Sequence, residues 1–450
     1  MSGEVRSPVE EALENQPFGA LQLRVVLLCA LVQAFDGFDL GTIGMAAPSL
    51  SKAWGVAPPL FTTAFVMSSV GILVGALLSG PLGDRFGRKP LLIISVAFIG
   101  LFSVLSAFTW SIPSITAMRF LTGLGLGGMV PIDQALVTEY APASIRGRVA
   151  AILPLCWPMG YFCAAGAALL LVPQIGWRWL FALGVLPAIL AFIIRRRVPE
   201  SPRWLASQGR HEEARESLAY VGVDDKVLEQ ARRELAAAPP RTAVPEATFR
   251  DLFTPPYARR VIHTWLLWFC SNFSANAFSV WLPTIYSQYY HIELSRTLFY
   301  TFIVAGTQVV GRICAFTLID ILGRKTMIVL GYGIAGCAAL AFTQSTTETS
   351  LLVNAMVYAF FQDIGSLAMT VYTPEVYPVR IRGKGTAIAM GWGRFGGMAS
   401  PLVAGMLIGA GNLILVWGMI GAMQFLAAGL TLLLAYETRG NLESVSTRVA

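Results

Sequence analysis

A chain of 450 residues with 55% apolar and only 13% charged side chains has too little polar surface to face water as a set of soluble domains. Its mean hydropathy is +0.62, and its apolar content suffices for about a dozen bilayer-spanning helices of about 20 residues each. A net charge of +7 would suggest a nucleic-acid partner if the cations formed one face, but they are strung through the short loops between apolar runs, which excludes that class.

The first apolar run, 21–48, carries Phe35-Asp36-Gly37-Phe38-Asp39 and follows a polar, acidic leader with no signal-peptide pattern. Runs at 60–82, 91–110 and 113–137 come next, the last holding Arg119 and Asp133. Spans at 149–172, with Trp157 and Tyr161, and at 178–196 complete a first set of six. Residues 197–259 form the only long polar stretch, a linker in which HEEARESLAYVGV and DDKVLEQARRELAA read as two short amphipathic helices. Six more runs follow: 260–287 with Asn272 and Asn276, 297–319 with Arg312, 326–343, 351–373 with Asp363, 384–409 with Trp392 and Arg394, and 412–436. The expected organisation is a six-helix bundle over 1–196, the linker, and a second bundle with a tail over 260–450.

With both termini on the cytoplasmic side, the inner segments hold 27 of the 33 Lys and Arg, and only Lys52, Arg178 and Arg296 fall in outer loops. Three arginines, Arg119, Arg312 and Arg394, are left inside apolar spans. The six cysteines (Cys29, Cys156, Cys163, Cys270, Cys314, Cys337) lie singly in apolar runs and the three histidines stand far apart, so no metal centre or enzyme-type cofactor is implied. HExxH and GxSxG patterns are missing, which argues against a membrane enzyme.

The two halves repeat at an offset of 236 residues. Asp84, Gly87, Arg88 and Lys89 recur as Asp320, Gly323, Arg324 and Lys325; Glu139, Pro142, Ile145, Arg146 and Gly147 recur as Glu375, Pro378, Ile381, Arg382 and Gly383. Such duplication predicts two parallel bundles that rock about a central site, hence transport by alternating access. Glycine allows the tight turn in Gly80-Pro-Leu-Gly-Asp84-Arg85-Phe-Gly87-Arg88-Lys89, and Asp84 is placed to pair with arginine across a helix interface that separates when the inner side opens. The expected gate comprises Asp84, Arg85, Arg88, Glu139, Arg146, Asp320, Arg324, Glu375 and Arg382.

On these motifs the chain resembles the major facilitator superfamily over essentially its whole length. The GxxxDRxGRK loop, Pro199-Glu-Ser-Pro-Arg-Trp204 and Arg119-x-x-x-Gly123-x-Gly125 are similar to its sugar-porter-related branch. The resemblance implies an all-α membrane protein with twelve transmembrane helices in two pseudo-symmetric six-helix bundles, working in the inner membrane as a monomer. Asp36-Gly-x-Asp39, continuing through Gly41-Thr-Ile-Gly44-Met-Ala-Ala-Pro48, resembles the aromatic acid:proton symporters, and so implies a small aromatic acid as substrate with protons as the coupling ion. Tyr372-Thr-Pro-Glu375-Val-Tyr-Pro378 and Gly393-Arg394-Phe-Gly396-Gly397 fit that family and also resemble niacin and organic-ion porters, and the Gln-rich seventh span of sugar porters is replaced by Asn272-Phe-Ser-Ala-Asn276, which demotes sugar or polyol.

Charges at a helix centre cost at least about 2.5 kcal/mol each and mark function. Asp36 and Asp39 share a helix face at i and i+3 near the midplane, with Arg119 as natural partner. The resemblance places proton coupling on Asp39, whose protonation would loosen Arg119 and admit substrate. Arg394, near mid-depth in the eleventh span, suits bidentate carboxylate capture. Phe35, Phe38, Trp157, Tyr161 and Trp392 are candidate ring contacts, and Asn272 and Asn276 candidate hydrogen-bond partners for ring hydroxyls. Arg312, Asp133 and Asp363 carry no assigned role.

Overall fold

The computed structural model describes residues 18–142, 145–221, 252–253 and 257–439, and they are helical almost throughout. Helices α1 (Ala20–Trp54), α2 (Thr62–Phe86), α3 (Arg88–Ser106), α4 (Ile112–Tyr140) and α5 (Arg146–Ile175) form five spans. The sixth is divided at Leu183-Gly184 into α6 (Trp177–Ala182) and α7 (Val185–Arg197). Two short helices follow: α8 (Pro202–Ser207), which the sequence reading lacked, and α9 (His211–Val221), the first of the two predicted linker helices. The second predicted linker helix lies outside the described residues.

The second half comprises α10 (Tyr257–Gln288), α11 (Leu294–Leu322), α12 (Arg324–Ala341), α13 (Glu348–Glu375), α14 (Val379–Gly409) and α15 (Leu413–Leu434). This is a twelve-span fold. Among the described residues ten spans are long and apolar enough to cross a bilayer on composition alone. The two that fall short, α10 and α14, have ample length at 32 and 31 residues but dilute their apolar surface with Asn, Ser, Gly and Arg. These are the two helices that carry Asn272, Asn276 and Arg394.

The repeat reappears as geometry. Gly87 (φ 104°) and Gly323 (φ 86°) both adopt the left-handed region that turns α2 into α3 and α11 into α12, a backbone that any Cβ would strain. At the same 236-residue offset, Ser111 with Ser114 and Thr347 with Ser350 build matching capping boxes at the starts of α4 and α13.

Three apolar cores set the relation of the halves. At the end away from the basic loops, one continuous core joins them, with Ile43, Phe65, Tyr161 and Trp177 of the first half among Phe278, Trp281, Leu298 and Val304 of the second. At the basic end each half has its own core: Val25, Leu92, Leu136 and Ile194 in the first, Leu267, Ile319, Ile328 and Tyr372 in the second. Phe65 meets Trp281 edge-on at 5.2 Å, Phe162 stacks on Phe302 at 4.6 Å, and the Tyr161 hydroxyl donates to the Ser279 carbonyl at 3.0 Å. The halves are therefore sealed at one end and divided at the other.

Candidate functional site

The site begins with two close helix crossings. A Cβ on Gly37 would sit 2.0 Å from the Trp157 carbonyl oxygen, and one on Gly160 would sit 1.7 Å from that of Ala34, so α1 and α5 touch backbone to backbone. That contact sets Trp157 beside Asp36. Within the second half, Gly393 and Gly397 of α14 face the side-chain amides of Asn272 and Asn276 on α10, where a Cβ would come within 2.8 and 3.1 Å. The missing side chains let α14 approach α10 and turn Arg394 toward the centre.

Between the two crossings lies a cavity of about 110 Å³ lined by Asp36, Leu40, Ser69, Ile72, Trp157, Asn272, Asn276, Gly393, Arg394 and Gly397. Both halves contribute. An apolar cavity of roughly 150 Å³ admits one benzene molecule, so this space is on the scale of a single six-membered ring. Among the described residues Arg394 forms no hydrogen bond or ion pair, and its charge acts on Asp36 at the opposite wall. Asn272 Nδ2 donates to the Trp268 carbonyl and Asn276 Nδ2 to the Asn272 carbonyl, each at 3.0 Å, so the Oδ1 atoms remain as acceptors.

Asp39 is not in this cavity. Buried one turn from Asp36, it accepts both of its hydrogen bonds from Arg119 Nη1, at 3.0 and 3.1 Å. Arg119 is fully buried; its Nη2 donates to Ser106 Oγ at 2.8 Å and Thr122 Oγ1 at 3.1 Å, and its guanidinium lies 5.2 Å from the Phe181 ring centre. Two carboxylates three residues apart thus have separate environments. Residues at i and i+3 are displaced by about 60° around a helix, enough for one to face the cavity and the other α4.

Of the expected ring contacts, only Trp157 lines the cavity. Tyr161 stacks on Trp157 with centroids 6.0 Å apart but spends its hydroxyl on the seal with α10. Phe35 and Phe38 meet edge-on and pack into the apolar cores. Trp392 is a correction: it is 39% exposed and stacks on Trp265 at 5.2 Å, because two residues from Arg394 along a helix is the opposite face. Ser69, Leu40, Ile72, Gly393 and Gly397 were missed, being small or apolar residues with no charge to single them out.

The gating residues also sort themselves. Arg88 binds Asp84 at 2.7 Å and Glu139 at 3.5 Å; Arg324 binds Asp320 at 2.8 Å and Glu375 at 3.1 Å. Each set stays within one half, where Arg88 joins α3 to α4 through Glu139 and Arg324 joins α12 to α13 through Glu375. Arg85 lies 5.3 Å from the Phe86 ring centre, Arg382 Nε donates to the Tyr377 carbonyl at 3.3 Å, and the Arg146 side chain is outside the described residues.

Two further carboxylates, one of them inside the Pro199-Glu-Ser-Pro-Arg-Trp204 motif, join these clusters. Glu200 accepts the backbone N–H groups of Arg88 and Lys89 at 3.1 Å, and Glu437 accepts those of Arg324 and Lys325 at 2.8 and 3.1 Å. Each carboxylate fills the space that a side chain on Gly87 or Gly323 would need. Their spacing is 237, one residue off the repeat, which hid the correspondence. Burial pushes the Glu200 carboxyl above the ordinary glutamate range, against the pull of those N–H donors.

Arg312 and Asp363 form a buried ion pair at 2.5 Å between α11 and α13. At the position related to Asp363 by the repeat, the first half has Gly127, where a Cβ would lie 2.0 Å from the Ile72 carbonyl oxygen. One half closes this interface with glycine and the other with charge. Asp133 of α4 is fully buried. Among the described residues no group of three or more His, Cys, Asp or Glu could hold a metal ion.

Comparison with known proteins agrees with this architecture. Residues 25–446 match the family described as Sugar (and other) transporter. The chain is 32% identical to the niacin transporter NiaP of Acinetobacter baylyi, over 96% of this chain and 98% of that protein. It is 30% identical to the 4-hydroxybenzoate transporter PcaK of Pseudomonas aeruginosa, over 90% of each. An inward-open structure of the xylose transporter XylE from E. coli shares the fold with a TM-score of 0.76, at 20% identity, covering 95% of this chain and all of that one.

Proposed function

Because the chain belongs to the family of sugar and other transporters, we propose that it imports a single-ring aromatic carboxylate together with a proton, by alternating access. The carrying observation is the unpaired guanidinium of Arg394, which faces Asp36 across a cavity of single-ring scale. Arginine is the residue whose planar fork binds a carboxylate bidentately, and an indole such as Trp157 offers a face for a flat ring. A neutral sugar has no anionic end to pair with that guanidinium. The relatives named for niacin and 4-hydroxybenzoate point to the same class of molecule.

Coupling follows from the two charges on opposite walls. While Asp36 is ionised it competes with substrate for Arg394; once protonated, it leaves the guanidinium free for a carboxylate. Proton and anion then enter as a neutral load. This moves the coupling role from Asp39 to Asp36 and assigns the Asp39–Arg119 pair to holding α1 against α4. With the basic end in the cytoplasm of a bacterial inner membrane, termini included, the sealed end faces outward and this arrangement is inward-facing. The working unit is a monomer, needing no cofactor beyond the bilayer and protons.

The free Oδ1 atoms of Asn272 and Asn276 favour a hydroxybenzoate over niacin, since a phenolic hydroxyl can donate to them and a pyridine ring cannot. Counterflow in proteoliposomes with 4-hydroxybenzoate, benzoate, nicotinate and xylose tests both statements. The expected order is 4-hydroxybenzoate first and xylose inactive. Exchange of xylose, or of no aromatic acid, would overturn the reading.

A further inference from the structure

We propose that the basic end of the first half carries a site for one anionic phospholipid, its phosphate held by Lys89 and Arg195. A cavity of about 540 Å³ lies there, walled by α3, the end of α7 and the linker helices α8 and α9. Such a volume is typical of small-molecule sites, which run to about 300–1,000 Å³. Lys89, Arg195 and Arg210 line it against Glu200 and Glu213, with Phe86 and Ile94 on its apolar side. Both carboxylates are already engaged. Glu213 receives Arg210 bidentately, at 2.7 and 2.6 Å, and Glu200 accepts the backbone N–H groups of Arg88, Lys89 and Ser201. Glu200 attracts Lys89 without forming an ion pair with its ammonium, while Lys89 and Arg195 repel each other as like charges. Among the described residues neither the Lys89 ammonium nor the Arg195 guanidinium has a hydrogen bond or ion pair, so a phosphate between them would gain charge-assisted donors from both.

The apolar side suits acyl chains. Ile94, Phe98, Leu101 and Leu105 follow at i, i+4, i+7 and i+11 on one face of α3, and each is 37% exposed or more. Eleven residues rise about 16 Å, close to half of a hydrocarbon core of about 30 Å, so the row leads from the cavity across one leaflet. On α7, which meets α3 where Gly100 abuts Ala188, the residues Val185, Ile189 and Phe192 are exposed at the same spacing. Two apolar rows thus end at one pair of cations, which matches a two-chain lipid and has no use for a soluble phosphate. The repeat supplies the contrast. Lys325, which corresponds to Lys89, donates its Nζ to the Ala435 carbonyl at 2.8 Å. At the 237-residue spacing of Glu200 and Glu437, Arg195-Arg196-Arg197 corresponds to Leu432-Leu433-Leu434. Both helix ends lie on the basic side, so a positive-inside bias alone does not account for three arginines on one and three leucines on the other. Cations at this level draw anionic lipid headgroups.

The test counts lipids bound to the full-length protein in detergent by native mass spectrometry, with dioleoylphosphatidylglycerol and dioleoylphosphatidylcholine supplied at equal concentration. The expected preference for the anionic lipid is about 30-fold, about fivefold for each cation. Lys89→Gln combined with Arg195→Gln should abolish it, and Lys325→Gln in the second half should leave it unchanged. Equal binding of the two lipids, an undiminished preference in the double variant, or an equal loss in Lys325→Gln would overturn the proposal. Should the double variant not fold, a photoactivatable phosphatidylglycerol on the unmutated protein decides: cross-links confined to residues 86–105 and 185–195 support the site, and cross-links spread evenly over the lipid-facing helices remove it. Inorganic phosphate and glycerol phosphate separate the sources of the anion, since displacement of the lipid by either would make this a soluble-phosphate site and end the lipid proposal.

Discussion

Asp36 on α1 and Arg394 on α14 stand on opposite walls of one cavity, and neither is consumed by an ion pair there, whereas Asp39, three residues on, is bound to Arg119 at 3.0 Å. That contrast separates an adjustable charge from a fixed one and generates the first two predictions.

Arg394→Gln is expected to weaken binding of 4-hydroxybenzoate about 100-fold, the loss of one charge-assisted pair of about 2–3 kcal/mol. Binding of an uncharged analogue such as 4-hydroxybenzamide should change by less than threefold. Isothermal titration of the detergent-solubilised protein reads both, and equal losses for the two ligands would deny Arg394 its carboxylate.

Asp36→Asn is expected to keep counterflow and lose pH-driven accumulation, with little change in thermal stability. Asp39→Asn should instead destabilise the protein by about 3 kcal/mol or more, because it strands a fully buried guanidinium. Thermal unfolding followed in parallel with uptake distinguishes them. A stable, uncoupled Asp39→Asn would return the coupling role to that residue.

Gly44 marks the sealed end. A Cβ there would already lie 3.0 Å from the Val280 carbonyl oxygen, so Gly44→Leu should wedge α1 from α10 and shift the population away from the inward-facing arrangement. In a cysteine-depleted background, a cysteine at Ser279 should then label faster from the outside and one at Ser69 more slowly from the inside. Unaltered rates at both would show that this contact does not control the seal.

Glu200 and Glu437 each hold two backbone N–H groups at the start of a helix, so Glu200→Ala or Glu437→Ala is expected to cost about 1 kcal/mol. Burial places the folded-state value of Glu200 above its unfolded one, so its contribution is fully present below the ordinary glutamate range and declines as pH rises through the folded value. Glu200→Gln should therefore flatten the pH dependence of thermal stability in that window. A denaturation series across mildly acidic pH checks the sign.

The fold was largely legible before any coordinate. Apolar runs, loop cations and the 236-residue repeat are properties of local sequence, because the free energy of placing a residue in a bilayer depends mainly on that residue and its depth. The same scarcity of charge singled out Asp36, Asp39, Arg119 and Arg394 and left Arg312, Asp133 and Asp363 without roles. What each of them faces was not legible. Helix rotation decides whether Asp36 or Asp39 meets the cavity, and backbone contacts at Gly37, Gly160, Gly393 and Gly397 set that rotation.

Tertiary packing likewise paired Arg312 with Asp363, turned Trp392 away from Arg394, and brought Glu200 and Glu437 onto helix starts more than a hundred residues distant. The sequence by itself determined how many helices cross the membrane, and which few charges must cross with them, since burial energy is nearly additive along the chain. Only the tertiary structure decided which of those charges are neutralised by a partner and which remain free to bind and to titrate, because pairing depends on distances of 3 to 4 Å that close packing alone fixes.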